Sequence, residues 1–196
     1  MLQPRLLEKA PLSMMRKAEL YTRYPILTPW IYNVATVLHF GLGGAGIIIG
    51  YGAAGWLGIL FGALYLVFAF GEMYLLMPLK VCPHCVYYPL EGARCVSAVN
   101  LLSRRIARRG STADFGERAQ GLLCPNNLYM VSLFLPILAA IPALVLGFSL
   151  PLLGILLGLM ALLVFRFFVI FPKLGCLHCR AKFICPQAAS MGVRDR

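Results

Sequence analysis

The residues of this 196-residue chain whose type and spacing suggest chemistry are its seven cysteines. Two groups share one grammar. Cys82, Cys85 and Cys95 form the first, Cys176, Cys179 and Cys185 the second, and Cys124 stands between them. Each group opens on a C-x2-C pair, in Val81-Cys-Pro-His-Cys85 and Gly175-Cys-Leu-His-Cys179. Two thiolates separated by two residues can turn toward one ion while the intervening amides point at the sulfurs, the knuckle of tetrathiolate zinc sites. The simplest expected site takes Cys82 and Cys85 from one knuckle and Cys176 and Cys179 from the other. A rival partition makes two sites: Cys82, Cys85, Cys95 and Cys124 for one, and Cys176, Cys179 and Cys185 with a histidine or foreign ligand for the other. Zinc is the expected metal, with an iron–sulfur cluster as the alternative; Cys82, Cys124 and Cys185 each precede a proline, a feature of some iron–sulfur ligand runs and of many zinc knuckles alike. His84 and His178 read as knuckle-tip residues with at most an accessory role.

The elements that must position these thiols are apolar. With 60% hydrophobic residues, 13% charged residues and a mean hydropathy of +0.80, the composition is not that of a soluble domain. A hydrocarbon core about 30 Å thick needs about 20 apolar residues. Four stretches qualify: Trp30 to Tyr51, Trp56 to Leu79, Leu128 to Phe148 and Leu150 to Phe171. The expected fold is therefore an all-α integral membrane protein of four transmembrane helices in two hairpins, with a small cysteine-rich cap. Seventeen of the eighteen Lys and Arg residues fall in the N-terminal arm, the loop of residues 80–127 or the C-terminal tail, and the two hairpin turns carry none. By the positive-inside rule, arm, loop and tail are cytoplasmic, and so are both termini. The net charge of +11 then faces anionic headgroups, and nucleic-acid binding is not expected. Glu8, Glu19 and several prolines interrupt any apolar run before the first span, so the N-terminal segment is expected to be retained.

Sliding the chain on itself by 94 residues superposes Pro78 on Pro172, Cys82 on Cys176, His84 on His178, Cys85 on Cys179 and Asn33 on Asn127. Four segments follow, two of them pseudo-symmetric: a basic arm (1–27) that could lie along the headgroups, a first repeat (28–95), a basic loop (96–127) and a second repeat (128–196). The same shift places Glu72, the only acidic residue in a span, on Arg166, the only basic one. Ionisable groups in spans face the bundle interior and pair, so a Glu72–Arg166 ion pair locking the hairpins is expected. A proton or ion pathway is the alternative, without a relay chain to support it. His39 lacks a second intramembrane histidine for haem ligation and reads as a packed, hydrogen-bonded residue.

In the central loop, residues 96–109 read as an interfacial helix with Val96, Val99, Leu102 and Ile106 on its apolar face, opposite Arg104, Arg105, Arg108 and Arg109. Its other reading is a docking surface for an acidic partner. Tyr87 and Tyr88 read as interfacial anchors. The chain has no Gly-rich phosphate loop, no Gly-x-Ser-x-Gly and no paired carboxylates, so a non-catalytic subunit is expected, serving as anchor or electron-transfer station of a membrane complex. Soft-metal transport and thiol–disulfide exchange are the alternatives. Lipid, other subunits or a second copy are the expected partners, with Gly41-Leu-Gly-Gly-Ala-Gly46 permitting a close helix approach.

Overall fold

A computed structural model describes residues 19–119, 121 and 123–194; most of the basic arm lies outside the described residues. The protein is 75% helical, with no strand among the described residues. Four helices are long and apolar enough to cross a membrane, with mean hydropathies of 1.5, 1.9, 2.3 and 2.6 in chain order. They are built on α1 (Leu27–Gly50), α2 (Trp56–Gly71), α4 (Pro125–Leu146) and α5 (Leu150–Phe165); the short α3 (Val99–Ile106) lies between α2 and α4. α1 packs against α2, α4 and α5, and α4 against α5.

Both second helices run further than the apolar pattern indicates. α2 continues through a π-helical turn at Glu72–Leu76 and helix Met77–Lys80 into a 3-10 turn at Cys82–His84. α5 continues through a π-helical stretch at Arg166–Gly175 into a 3-10 turn at Cys176–His178. Each becomes a 29-residue rod whose last turn carries the first knuckle cysteine. The boundary prolines supply the physical reason. Pro78 and Pro172 lack an N–H, and their rings collide with the carbonyl four residues back in an α register. Widening to a π register relieves the collision without breaking the axis. Accordingly the Met77 amide bonds the Glu72 carbonyl, five residues back, and the Cys176 amide bonds Phe171.

Burial is inverted relative to a water-soluble bundle. The outward faces are apolar, with Val67 72%, Leu138 62%, Leu157 62% and Phe168 68% exposed. The buried side chains include Thr36, His39, Glu72, Ser132 and Arg166, none more than 1% exposed. Polar groups inside and hydrocarbon outside is the arrangement a lipid solvent selects. Small residues allow the close packing this needs. A Cβ on Gly43 would come within 2.7 Å of the Tyr65 hydroxyl, and one on Gly58 within 2.6 Å of the Tyr51 carbonyl oxygen. Gly43, Gly44 and Gly46 are therefore occupied by contacts within the chain, while Gly41 borders open space.

The Glu72–Arg166 ion pair is not formed. The Arg166 guanidinium donates to the Tyr129 hydroxyl and, at 3.1 Å, to Thr36 Oγ1. It also lies over the rings of Tyr32, Tyr129 and Phe171, 5.5–5.8 Å from their centroids. Neutral hydroxyls and π faces thus take the place of the carboxylate. Neither Glu72 oxygen has a partner among the described residues. Equivalent places on two helices do not by themselves bring side chains together: Arg166 is taken by Tyr129 and Thr36 instead. His39 bridges α1 to α4 through a 3.0 Å contact of Nε2 with the Leu133 carbonyl, in keeping with a packed helix residue.

Candidate thiolate site at the end of the bundle

The two rods deliver the knuckles to one end of the bundle. In each, a backbone bond closes the turn, from the Cys85 amide to the Cys82 carbonyl (3.1 Å) and from the Cys179 amide to the Cys176 carbonyl (3.2 Å). Backbone amides also reach the second sulfur, those of Val86 and Tyr87 at Cys85 and that of Ala181 at Cys179. Tyr87 and Ala181 are 94 residues apart, the spacing of the two knuckles themselves.

Six of the seven cysteines converge. Cys85, Cys179 and Cys185 pack against one apolar cluster around Val81, Phe115, Ala119 and Ala181. Cys85, Cys95 and Cys179 pack against a second around Tyr24, Tyr87 and Ala93. Cys82 lies within electrostatic reach of Cys85 and Cys95, and Cys176 within reach of Cys179. The sulfurs are gathered without being drawn into a shell: among the described residues, no three His, Cys, Asp or Glu groups stand close enough to hold one ion. Burial pushes the Cys85 thiol up to about 12, aided by Cys95 and Cys185 and opposed by the Val86 and Tyr87 amides. Burial likewise raises Cys179, and nearby Cys85 adds to it. Such thiols are protonated at neutral pH and poor nucleophiles, which weighs against thiol–disulfide exchange.

Cys124 has another task. It is the N-cap of α4, its sulfur accepting from the Asn127 amide at 3.4 Å and contacting the Ala119 carbonyl at 3.6 Å. The histidines are also held. His84 Nδ1 contacts the Ser111 carbonyl at 3.0 Å and lies 3.7 Å from Asp114, while His178 Nδ1 contacts the Glu19 carbonyl at 2.8 Å and stacks on Tyr21.

Sequence reasoning missed the tyrosines that join the knuckles. The segment before α1 runs between the two loops, the Tyr21 amide bonding the His178 carbonyl and the Tyr24 amide the Arg94 carbonyl, each at 3.0 Å. The Tyr24 hydroxyl reaches the Gly175 carbonyl at 2.6 Å, and Tyr87, rather than anchoring in the interface, is fully buried and donates to the Tyr21 carbonyl at 2.7 Å. Arg94 clamps the Tyr24 carbonyl with Nε and Nη2. A cluster of tyrosines beside a basic residue at a span boundary was the available signal, but it reads equally well as a lipid anchor.

α3 is shorter than the expected 96–109 helix, and it is turned differently. Asn100 and Ser103 face inward because their side chains satisfy buried backbone: Asn100 takes the Cys95 amide and donates to the Ala93 carbonyl, and Ser103 donates to the Pro78 carbonyl at 2.7 Å. Leu101, Leu102 and Ile106 are left 43%, 37% and 43% exposed. Arg104 is drawn inward onto the carbonyls of Tyr87, Tyr88 and Leu90.

No family model, curated protein or solved structure matches the chain.

Proposed function

We propose that this chain is a non-catalytic membrane subunit whose six convergent cysteines, Cys82, Cys85, Cys95, Cys176, Cys179 and Cys185, bind metal as a thiolate cap at the cytoplasmic end of the bundle. The observation that carries this reading is the meeting of two distant knuckles in shared apolar clusters, each with backbone amides at its second cysteine. Buried thiols without a counter-charge are stable only when protonated; a divalent ion supplies the charge that lets them ionise, and the amides favour the thiolate form. Zinc, the first choice, suits a tetrahedral soft-donor set, and an iron–sulfur cluster is the second. Placing Cys124 in a helix cap favours a site spanning both knuckles over the partition that includes it.

A pseudo-symmetric origin of the hairpins is supported by three features repeating at 94 residues: the start of the π-helical turns at Glu72 and Arg166, the 3-10 turns at Cys82 and Cys176, and the amides of Tyr87 and Ala181. A metal between the halves would fasten one hairpin to the other. The absence of charge on the opposite turns supports the cytoplasmic orientation, and the small mass outside the spans supports an anchor, assembly or electron-transfer role within a larger complex.

Elemental analysis with an absorption spectrum, on protein purified anaerobically, tests the cap. Stoichiometric zinc in a colourless sample is the expected result. Iron with inorganic sulfide and a broad visible band would make the subunit an electron carrier, and metal-free protein would sink the proposal.

A further inference from the structure

Glu72 is 1% exposed and lies on the buried face of α2 and its continuation, beside Ala69 and Met73. α1 packs against α2, and α4 packs against the π-helical turn that Glu72 opens. No described residue donates to either of its oxygens. The titratable groups on the surrounding helices bond elsewhere, although His39 Nδ1 and Arg166 Nε, like both Glu72 oxygens, have no partner among the described residues. Tyr74 donates to Asn33, Tyr65 to the Ser132 carbonyl, Tyr129 is bonded to Tyr32 and Arg166, and His39 meets the Leu133 carbonyl. Arg166, the one intramembrane cation, is held by Thr36, Tyr129 and three aromatic rings. An ionised carboxylate here would have surrendered its hydration for neither a donor nor a counter-charge, which a lipid-embedded interior does not sustain. A neutral acid meets no such penalty. It also gains an O–H donor, on a rod where Pro78 supplies no amide to the ladder and so leaves a carbonyl one partner short.

We propose that Glu72 is a proton-binding site of the membrane interior, a neutral carboxylic acid at neutral pH that reacts with carbodiimides arriving through the lipid. The chemistry selects for that form. The acid adds across a C=N bond, its proton passing to nitrogen and its oxygen to carbon, and the O-acylurea rearranges to a stable N-acylurea. The proposal is independent of the metal cap.

The test uses the full chain reconstituted in phosphatidylcholine vesicles at neutral pH. Dicyclohexylcarbodiimide should place an adduct on Glu72, located by peptide mass spectrometry, and leave unmodified the other six acidic residues, all outside the spans. The infrared spectrum should show the carbonyl stretch of a protonated carboxyl, and Glu72→Gln, neutral and of the same shape, should remove both the band and the adduct while melting at the same temperature. A wild-type spectrum without that band would overturn the proposal even if labelling occurred. So would a band that survives in Glu72→Gln, or a marked fall in that variant's melting temperature, which would mean that the charge itself was needed.

Discussion

At the residue scale, type and environment decide what each cysteine can do. Cys124 is a helix cap, and serine is the better cap chemically, so Cys124→Ser should leave metal content unchanged and stability within about 1 kcal/mol of wild type. Cys179→Ser removes a sulfur from both apolar clusters at the junction of the knuckles, and elemental analysis should show the metal lost. Linkage gives a pH signature as well. Folding raises Cys85 from 9.0 to about 12. The metal-free fold therefore keeps the full contribution of the neutral thiol below pH 9 and loses it as pH climbs toward 12, because the unfolded chain ionises first. Between neutral pH and 9 the metal-free protein should therefore show no pH dependence from this thiol, whereas metal-loaded protein should gain stability, since binding releases protons and strengthens as pH rises. Thermal melts of both forms across that range check the contrast. Arg166→Lys should not restore what Arg166→Ala loses, because an ammonium cannot present a planar fork to Tyr129 and Thr36 while stacking among three rings. Melting the two variants side by side in detergent would show a rescue if one exists.

At the element scale, helix continuity across proline and close helix approach are the two devices that matter. The π-helical turns carry the knuckles on the same rods that span the apolar stretch, so the first cysteine of each knuckle is positioned by the bundle. Close approach is least yielding where α2 starts beneath the preceding turn, because the neighbour there is backbone. A methyl on Gly58 meets the Tyr51 backbone, which cannot swing away as a side chain could, so Gly58→Ala should cost about 1–3 kcal/mol, whereas Gly41→Ala should be neutral. Denaturation in mild detergent distinguishes them. The same logic reads α3. Its inward Ser103 ties the central loop to the end of the second span, Asn100 braces the loop at Ala93 and Cys95, and Leu101, Leu102 and Ile106 are left exposed.

At the scale of the whole molecule, the two halves are joined twice, by the α1–α4 and α1–α5 seams inside the bundle and by the Tyr21–Tyr24 strap across the knuckles. Tyr24 donates to a carbonyl 151 residues away, so its hydroxyl ties the start of the first span to the end of the last. Tyr24→Phe should lower stability by about 1 kcal/mol, the net worth of one buried bond with the ring left in place, and should loosen metal retention during chelator challenge if the strap holds the knuckles together.

Much of this architecture was legible because lipid imposes a simple rule on a chain. Four apolar runs, two uncharged turns and the placement of Lys and Arg follow from the free energy of transferring side chains into hydrocarbon, a property of each residue type that needs no knowledge of neighbours. The twin knuckles were legible because a C-x2-C turn is local. What only the tertiary structure decided was orientation about each helix axis and the pairing of distant groups. Glu72 and Arg166 fall at equivalent places in the two hairpins, yet Arg166 is taken by Tyr129 and Thr36 and Glu72 has no partner among the described residues, so no ion pair forms. Cys124, a candidate ligand by type, stands at the start of α4 as its N-cap, a placement its spacing did not reveal. Tyr24 and Tyr87 became buried ties, and Asn100 and Ser103 became the inner face of α3, because unpaired backbone carbonyls and amides at the end of the bundle needed partners, and which ones are left unpaired is known only once the chain has folded.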